Sequence, residues 1–354
     1  MNDRWWFLLV SLGIVAVLSA AVWGATFCPS GHSHETVDAV LADAATGVVA
    51  SNPHSVEAYL RLAAVEADRC RYAQAVEALT QAIELDPERP ETYFSRALTY
   101  REIGMSSEAI KDCNRVLELH PDHAPALKLR AKFFAGKEDR AAALADLSRC
   151  IALAPQDPSA FVERAKVYGE DGDRALAVND LSRAIELDRA SATAYYLRGR
   201  EYVELEDYEA ALSDFLAASA LKPNQCWYHV SLAEVYTATG RHSDAVDEWA
   251  EFLDLGANTA YGHTRRAYAL CRADRCEEAA LELERVFGRT PDHPPALLLR
   301  AWLAAQREEV EQARADLTVL ATSCAEKPYG AVAREAMELL DAQKADEWEL
   351  PEER

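Results

Sequence analysis

A spacing of 34 residues runs through this chain eight times, from Val56 to Lys327. A period of that length restricts the fold more than any other feature of the sequence. In register from 56, 90, 124, 158, 192, 226, 260 and 294, every block carries alanine at its twentieth position: Ala75, Ala109, Ala143, Ala177, Ala211, Ala245, Ala279 and Ala313. The eighth position is equally small, as Ala63, Ala97, Ala131, Ala165, Gly199, Ala233, Ala267 and Ala301. Side chains this short let two helix backbones approach, so both positions predict tight crossings.

Other columns carry bulk. Tyr59, Tyr93, Leu127, Phe161 and Tyr195 stand fourth, Tyr100, Phe134, Tyr168, Tyr202 and Tyr236 eleventh, and Leu79, Leu147, Leu181, Phe215, Trp249, Leu283 and Leu317 twenty-fourth. Positions 4, 8 and 11, then 20, 24 and 27, follow helical rather than strand spacing. Pro87, Pro121, Pro155, Pro223 and Pro291 close their blocks, where a residue without an amide hydrogen stops a helix. Each block therefore reads as a helix-turn-helix.

This pattern resembles the tetratricopeptide repeat, whose unit carries aromatic, small, aromatic, Ala, aromatic and Pro positions in this order. The resemblance covers about three quarters of the chain. Arg189, Ala257 and Ala325 stand where proline is usual, and Glu66, Leu270 and Ala304 replace the eleventh-position aromatic, without breaking register. The resemblance implies an all-α fold, a right-handed α-solenoid of about eight helix-turn-helix repeats with capping helices. The expected division is an apolar segment at 1–28, a linker and capping helix at 29–55, and repeats 56–89, 90–123, 124–157, 158–191, 192–225, 226–259, 260–293 and 294–327. A second capping helix at 328–344 and an acidic tail at 345–354 complete it. Because a solenoid buries its core between neighbours, 354 residues fit one continuous domain.

The net charge of −22 argues against a nucleic-acid partner, since phosphate binding needs a basic face. Residues 5–27 contain no charged side chain. As a helix they would span roughly 34 Å, against about 30 Å for a bilayer core. Trp5, Trp6 and Trp23 sit where interfacial aromatics belong, which favours a single-pass membrane anchor. The competing reading is a cleaved signal peptide, with Ser19 and Ala21 as small residues near a cleavage site. Phe27 before Cys28 departs from a lipobox. Arg4 on the short side, with no Lys or Arg beyond the span until Arg61, places the repeats outside the cytoplasm.

Position seven is Arg in six blocks (Arg96, Arg130, Arg164, Arg198, Arg266 and Arg300), and in those same blocks position 23 is acidic: Asp112, Asp146, Asp180, Asp214, Glu282 and Asp316. The first block has Leu62 and Ala78 there, and the sixth has Leu232 and Glu248. The co-occurrence predicts structural Arg to carboxylate forks between the two helices of a repeat.

In the tetratricopeptide family binding resides on the concave face, lined by positions 2, 5, 9, 12 and 13 of each first helix. Here those positions carry a basic column, Lys128, Lys132, Lys166 and Arg200, followed by aromatics Trp227, Tyr261, Tyr268 and Trp302, with Tyr196 at the border and Glu234 between. An acidic, partly hydrophobic peptide would suit this sequence of groups, the cations steering and the aromatics supplying contact area. The alternative is solvated lysines beside ordinary stacking aromatics. Some family members grip chaperone tails with a carboxylate clamp. Here its register offers Lys128 and Lys132, then Glu163, then Thr193 and Leu197, so the clamp is incomplete.

Cys113 and Cys150 fall in core columns, and no Cys-x-x-Cys occurs. Cys271 and Cys276 flank a turn and could pair in an oxidising compartment. His229 and His263 occupy the fourth column, where a core imidazole outweighs a metal ligand. His32 and His34 near Cys28 form a weak metal signal. No phosphate loop, HExxH or GxSxG appears, so neither a catalytic residue nor a cofactor is indicated. The expected function is a non-catalytic, membrane-anchored scaffold holding partner proteins or acidic peptide tails. The alternatives are a cleaved exported subunit aiding maturation of other proteins, or a cysteine-based redox or metal assembly factor. Trp348 and Leu350 among Asp346, Glu347, Glu349, Glu352 and Glu353 resemble the expected ligand, so the tail could compete for the face.

Overall fold

The structure, a computed structural model, describes residues 45–324, 328–342, 344 and 347–350. It divides into two compact units, 1–153 and 154–354. The expected anchor at 5–27, Cys28, His32, His34 and the first part of the capping helix lie outside the described residues. Among the described residues no strand occurs, and no helix is long and apolar enough to cross a membrane.

After a helical stretch at 45–51, the first unit holds three hairpins: α1 (Val56–Asp68) with α2 (Tyr72–Leu85), α3 (Pro90–Glu102) with α4 (Ser106–Leu119), and α5 (Ala124–Gly136) with α6 (Arg140–Leu153). The second holds five more: α7 (Pro158–Asp171) with α8 (Arg174–Leu187), α9 (Ala192–Glu204) with α10 (Tyr208–Leu221), α11 (Cys226–Ala238) with α12 (His242–Asp254), α13 (Ala260–Arg272) with α14 (Cys276–Phe287), and α15 (Pro294–Gln306) with α16 (Val310–Ser323). A single helix, α17 (Pro328–Asp341), packs on α16 and α15. Within each unit a helix touches its hairpin partner and then the next hairpin.

The alanine columns explain the close packing. All eight alanines at position 20 are 0% exposed, and Ala97, Ala131, Ala233, Ala267 and Ala301 at position eight match them. The one glycine in that column answers to a larger neighbour. A Cβ on Gly199 would lie 2.6 Å from the Phe215 ring, and Phe215 stands where most blocks carry leucine. Trp249, larger still, coexists with Ala233 because its ring stacks edge-on against Phe252 and Tyr261.

Seven of the eight first helices start at side chains that accept from the exposed amides, as in Ser55, Asp157, Ser191 and Thr259, or at proline in the first turn, and α11 after Gln225 has neither. Position 15 of all eight blocks has positive φ, with Gly104, Gly172 and Gly240 in three and Cys70, Glu138, Glu206, Asp274 and Glu308 in five. The next amide then reaches back to the carbonyl at position 11, as Met105 does to Tyr100 and Asp207 to Tyr202, both at 2.9 Å. That left-handed stop is what turns one helix into the next.

Candidate functional site

Five of the six expected Arg forks are present and stitch their own hairpins, whereas Arg266 gives Glu282 one bond instead of two. Arg96 donates from Nε and Nη2 to both oxygens of Asp112 at 2.8 Å. Arg130 with Asp146, Arg164 with Asp180, Arg198 with Asp214 and Arg300 with Asp316 repeat this geometry at 2.7–2.8 Å. The acids are buried, and the carboxylate beside each of Arg96, Arg130, Arg164 and Arg198 holds its guanidinium above its ordinary range. The remaining Nη1 reaches the preceding repeat, from Arg96 to Thr80 at 3.0 Å, Arg130 to Asn114 at 2.7 Å and Arg198 to Ser182 at 2.9 Å.

Repeats six and seven use a different fastening. His229 donates from Nδ1 to Glu248 at 2.8 Å, and His263 to Glu282 at 2.6 Å. Glu282 also accepts from Arg266 and Arg285 at 2.9 Å. The Glu248 contact raises the His229 imidazole above its ordinary value, against the opposing pull of burial. The histidines are thus tied to carboxylates, and among the described residues no cluster of three or more metal-ligating side chains occurs. Cys271 and Cys276 are free thiols, with burial first and the neighbouring Cys276 second in pushing Cys271 upward. Cys113 is pushed up to about 12 by burial.

The residues of the expected binding face fall in both units. Lys128, half-buried, and Lys132, exposed, belong to the first and each has an interaction partner. In the second, Lys166 pairs with Glu163 at 3.3 Å, and Arg200 is exposed with no ion pair among the described residues. Glu163 occupies the place where a chaperone-tail clamp needs an amide, so that register is occupied by an internal pair.

The aromatics form two groups. Tyr196, Trp227 and Tyr228 pack together, with Tyr196 and Tyr228 centroids 5.3 Å apart and Trp227 edge-on to Tyr228 at 5.8 Å. Further along, Tyr261, Tyr268 and Trp302 belong to one apolar cluster. The Tyr268 hydroxyl accepts from Arg272 at 3.0 Å. Beside Tyr261 lies Arg265, its guanidinium 5.6 Å from the Tyr261 ring and 5.7 Å from that of Trp249. Arg265 also contacts Glu234 at 3.5 Å. About half of the Glu234 side chain's surface (51%) stays accessible, yet the protein walls around it push its carboxyl upward, with Arg265 pulling partly back.

Arg265 escaped the sequence reading because position six is not a concave column. Tyr329 carries no column signal, because α17 lies beyond the eight repeats. It sits at the second position of that helix, half-buried, its hydroxyl pushed up mainly by burial. The third addition comes from outside the repeats. Trp348 is 6% exposed, and the Trp302 indole donates to its backbone carbonyl at 3.1 Å.

Models of the tetratricopeptide repeat match residues 41–90, 78–111, 192–225 and 264–331. No curated protein matches the chain. Among solved structures, the C-terminal part of a TPR repeat-containing protein from Cytophaga hutchinsonii is 17% identical, with a TM-score of 0.59, over 67% of this chain and 98% of that one. Pseudomonas aeruginosa pilF is 16% identical at a TM-score of 0.51, over 60% and 96%. YrrB, described as a TPR protein with an unusual peptide-binding site, is 22% identical at 0.44, over 51% and 94%. At these identities the likeness is one of fold. With the alanine columns, the left-handed stops and the family models in agreement, the chain carries tetratricopeptide repeats at residues 41–111, 192–225 and 264–331.

Proposed function

We propose that this protein is a non-catalytic interaction scaffold that captures acidic, partly hydrophobic segments of partner proteins on the concave face of its second unit. The observation that carries the reading is the chemistry of one face. Arg200 is exposed, and half-buried Tyr261 and Trp302 supply aromatic surface, with Arg265 stacked beside the Tyr261 ring and Tyr268 buried beneath. A peptide carboxylate would find a charge partner there, and its apolar side chains would find rings to cover. The helices that carry these groups are held by the buried Arg198 and Arg300 forks and, on α13, by the His263 and Arg266 bonds to Glu282, so the surface is preformed and little ordering cost opposes binding. Lys128 and Lys132 add basic character to the same columns of the first unit.

The membrane part of the proposal rests on residues 5–27, whose uncharged length suits a bilayer. Arg4 before them favours repeats outside the cytoplasm. A compartment-restricted proximity label fused after Arg354 tests both parts. Partners lost in a Lys132→Ala, Lys166→Ala, Arg200→Ala variant are the expected result, and an unchanged partner list would move the binding surface elsewhere. Labelling confined to cytoplasmic proteins would overturn the orientation. A mature N terminus beginning after residue 21 would replace the anchor with a cleaved signal.

A further inference from the structure

We propose that residues 347–350 are a built-in competitor seated on the concave face of the second unit. The ligand they hold off is an extended acidic segment with one large aromatic and one aliphatic side chain two residues apart. This rests on the reading that the concave face captures such segments.

The seat is marked by one direct bond, from the Trp302 indole to the Trp348 carbonyl, and by the clusters the two apolar side chains join. Trp348 joins an apolar cluster with Leu298 and Ala305, against which Trp302 packs. Those three are positions 5, 9 and 12 of the eighth block, the columns that line the concave face. Leu350 packs against the neighbouring cluster that holds Tyr268, Cys271 and Leu303. Of these, Tyr268 and Cys271 are positions 9 and 12 of the seventh block.

Glu347, exposed, ends a tight turn with its amide donating to the Lys344 carbonyl at 3.0 Å, and beyond it exposure alternates: Trp348 buried, Glu349 exposed, Leu350 half-buried. A period of two is that of extended chain inserting every second side chain. The recognition also includes backbone, through the Trp302 indole and the Trp348 carbonyl. Backbone bonding combined with alternate side-chain insertion is how protein surfaces take up extended peptides in general. Nothing in that contact depends on the segment being joined to α17, so a partner strand of the same chemistry can make it.

Tethering makes the arrangement a competitor. Trp348 lies seven residues beyond the end of α17 at Asp341, and a short link of this kind gives an effective concentration in the millimolar range. Even a modest contact then keeps the face occupied. An outside ligand sees only the fraction of molecules in which the segment has left, and its apparent affinity falls by that fraction.

The test uses a fluorescein-labelled peptide of residues 344–354, titrated by anisotropy against the full chain and against a Trp348→Ser, Leu350→Ser variant of it. The variant should bind about tenfold more tightly than the parent, or better, and an added Trp302→Ala should abolish that binding. Equal affinity for parent and variant overturns the competitor while leaving capture on the concave face intact. Binding to neither shows a structural strap and overturns the inference. The proximity-label comparison then decides separately whether the face captures partners at all. Should the double substitution lower helicity, the parent alone decides. Excess unlabelled peptide should speed hydrogen exchange across 347–350, and unchanged exchange overturns the proposal.

Discussion

The hairpin of α9 and α10 and the hairpin of α11 and α12 stand next to each other in the second unit and are fastened by different chemistry. In the first, Arg198 clamps Asp214 with two parallel bonds and spends its third donor on Ser182. In the next, position seven is Leu232, and Glu248 is held by the His229 imidazole instead. Glutamate replaces aspartate at position 23 in both histidine-bearing repeats. One more methylene lets the carboxylate reach the fourth column. The lesson is that where a carboxylate stands between the two helices it must be satisfied, while the cation that satisfies it can change. A guanidinium keeps its charge at any physiological pH, whereas an imidazole does not.

The largest test of the contrast removes the fork. Arg198→Ala leaves Asp214 buried without its counter-charge, and should cost about 3–5 kcal/mol of unfolding free energy by denaturant titration. A loss below 1 kcal/mol would show that the fork is no stronger than a surface pair.

His229→Ala should cost less, about 1.5–3 kcal/mol under mildly acidic conditions, as loss of a hydrogen bond to a charged group. The sign of its pH dependence follows from the raised imidazole value. The stabilisation is complete below the unfolded histidine value of about 6.5. It is lost as pH rises through the higher folded value. The difference between parent and variant should therefore shrink on going from acidic to alkaline buffer. The corresponding difference for Arg198→Ala should stay level across that range. A combined Leu232→Arg, Glu248→Asp, His229→Tyr variant, which rebuilds the fork, should lose the pH dependence.

The helix crossing offers a third comparison. Gly199→Ala forces a methyl against Phe215 and should cost about 1–3 kcal/mol, recovered on adding Phe215→Leu. Failure of that second change to rescue would move the strain elsewhere. The smallest effect concerns the turns of the same two hairpins. Glu206 holds a left-handed φ of 59°, where Gly240 holds 74°. Glu206→Gly should stabilise by about 0.5–1 kcal/mol, and Gly240→Glu should do the reverse, both read as shifts in the thermal midpoint.

Much of this was legible beforehand because a repeat tests its own columns. The small positions eight and twenty recur as crossings, and the Arg forks follow from two columns varying together. The left-handed stop was hidden by composition. Only three of the eight turns carry glycine there, so nothing in that column stood out. Histidine pairing is hidden for a related reason, since His229 and His263 fill the aromatic fourth column and only the longer acid at position 23 of the same blocks signals their bond. Of the aromatics expected on the concave columns, Tyr268 and Trp302 fall in one apolar cluster. The columns could not supply Arg265, whose importance comes from stacking over Trp249 and Tyr261 rather than from its position number. The acidic tail's chemistry was readable, but its seat needed Trp348 in three dimensions.

The third bond of Arg96, Arg130 and Arg198 also bears on how such a chain can change length. Arg96 reaches forward sixteen residues to Asp112 and back sixteen to Thr80, and Arg198 does the same with Asp214 and Ser182. Each guanidinium therefore works as a caliper with equal arms. Inserting or deleting a few residues within either arm separates it from one of its partners, while duplicating or excising a whole 34-residue unit leaves every arm its proper span. Lineages carrying this device would be expected to grow and shrink in complete repeats, with stray residues tolerated only outside the two arms.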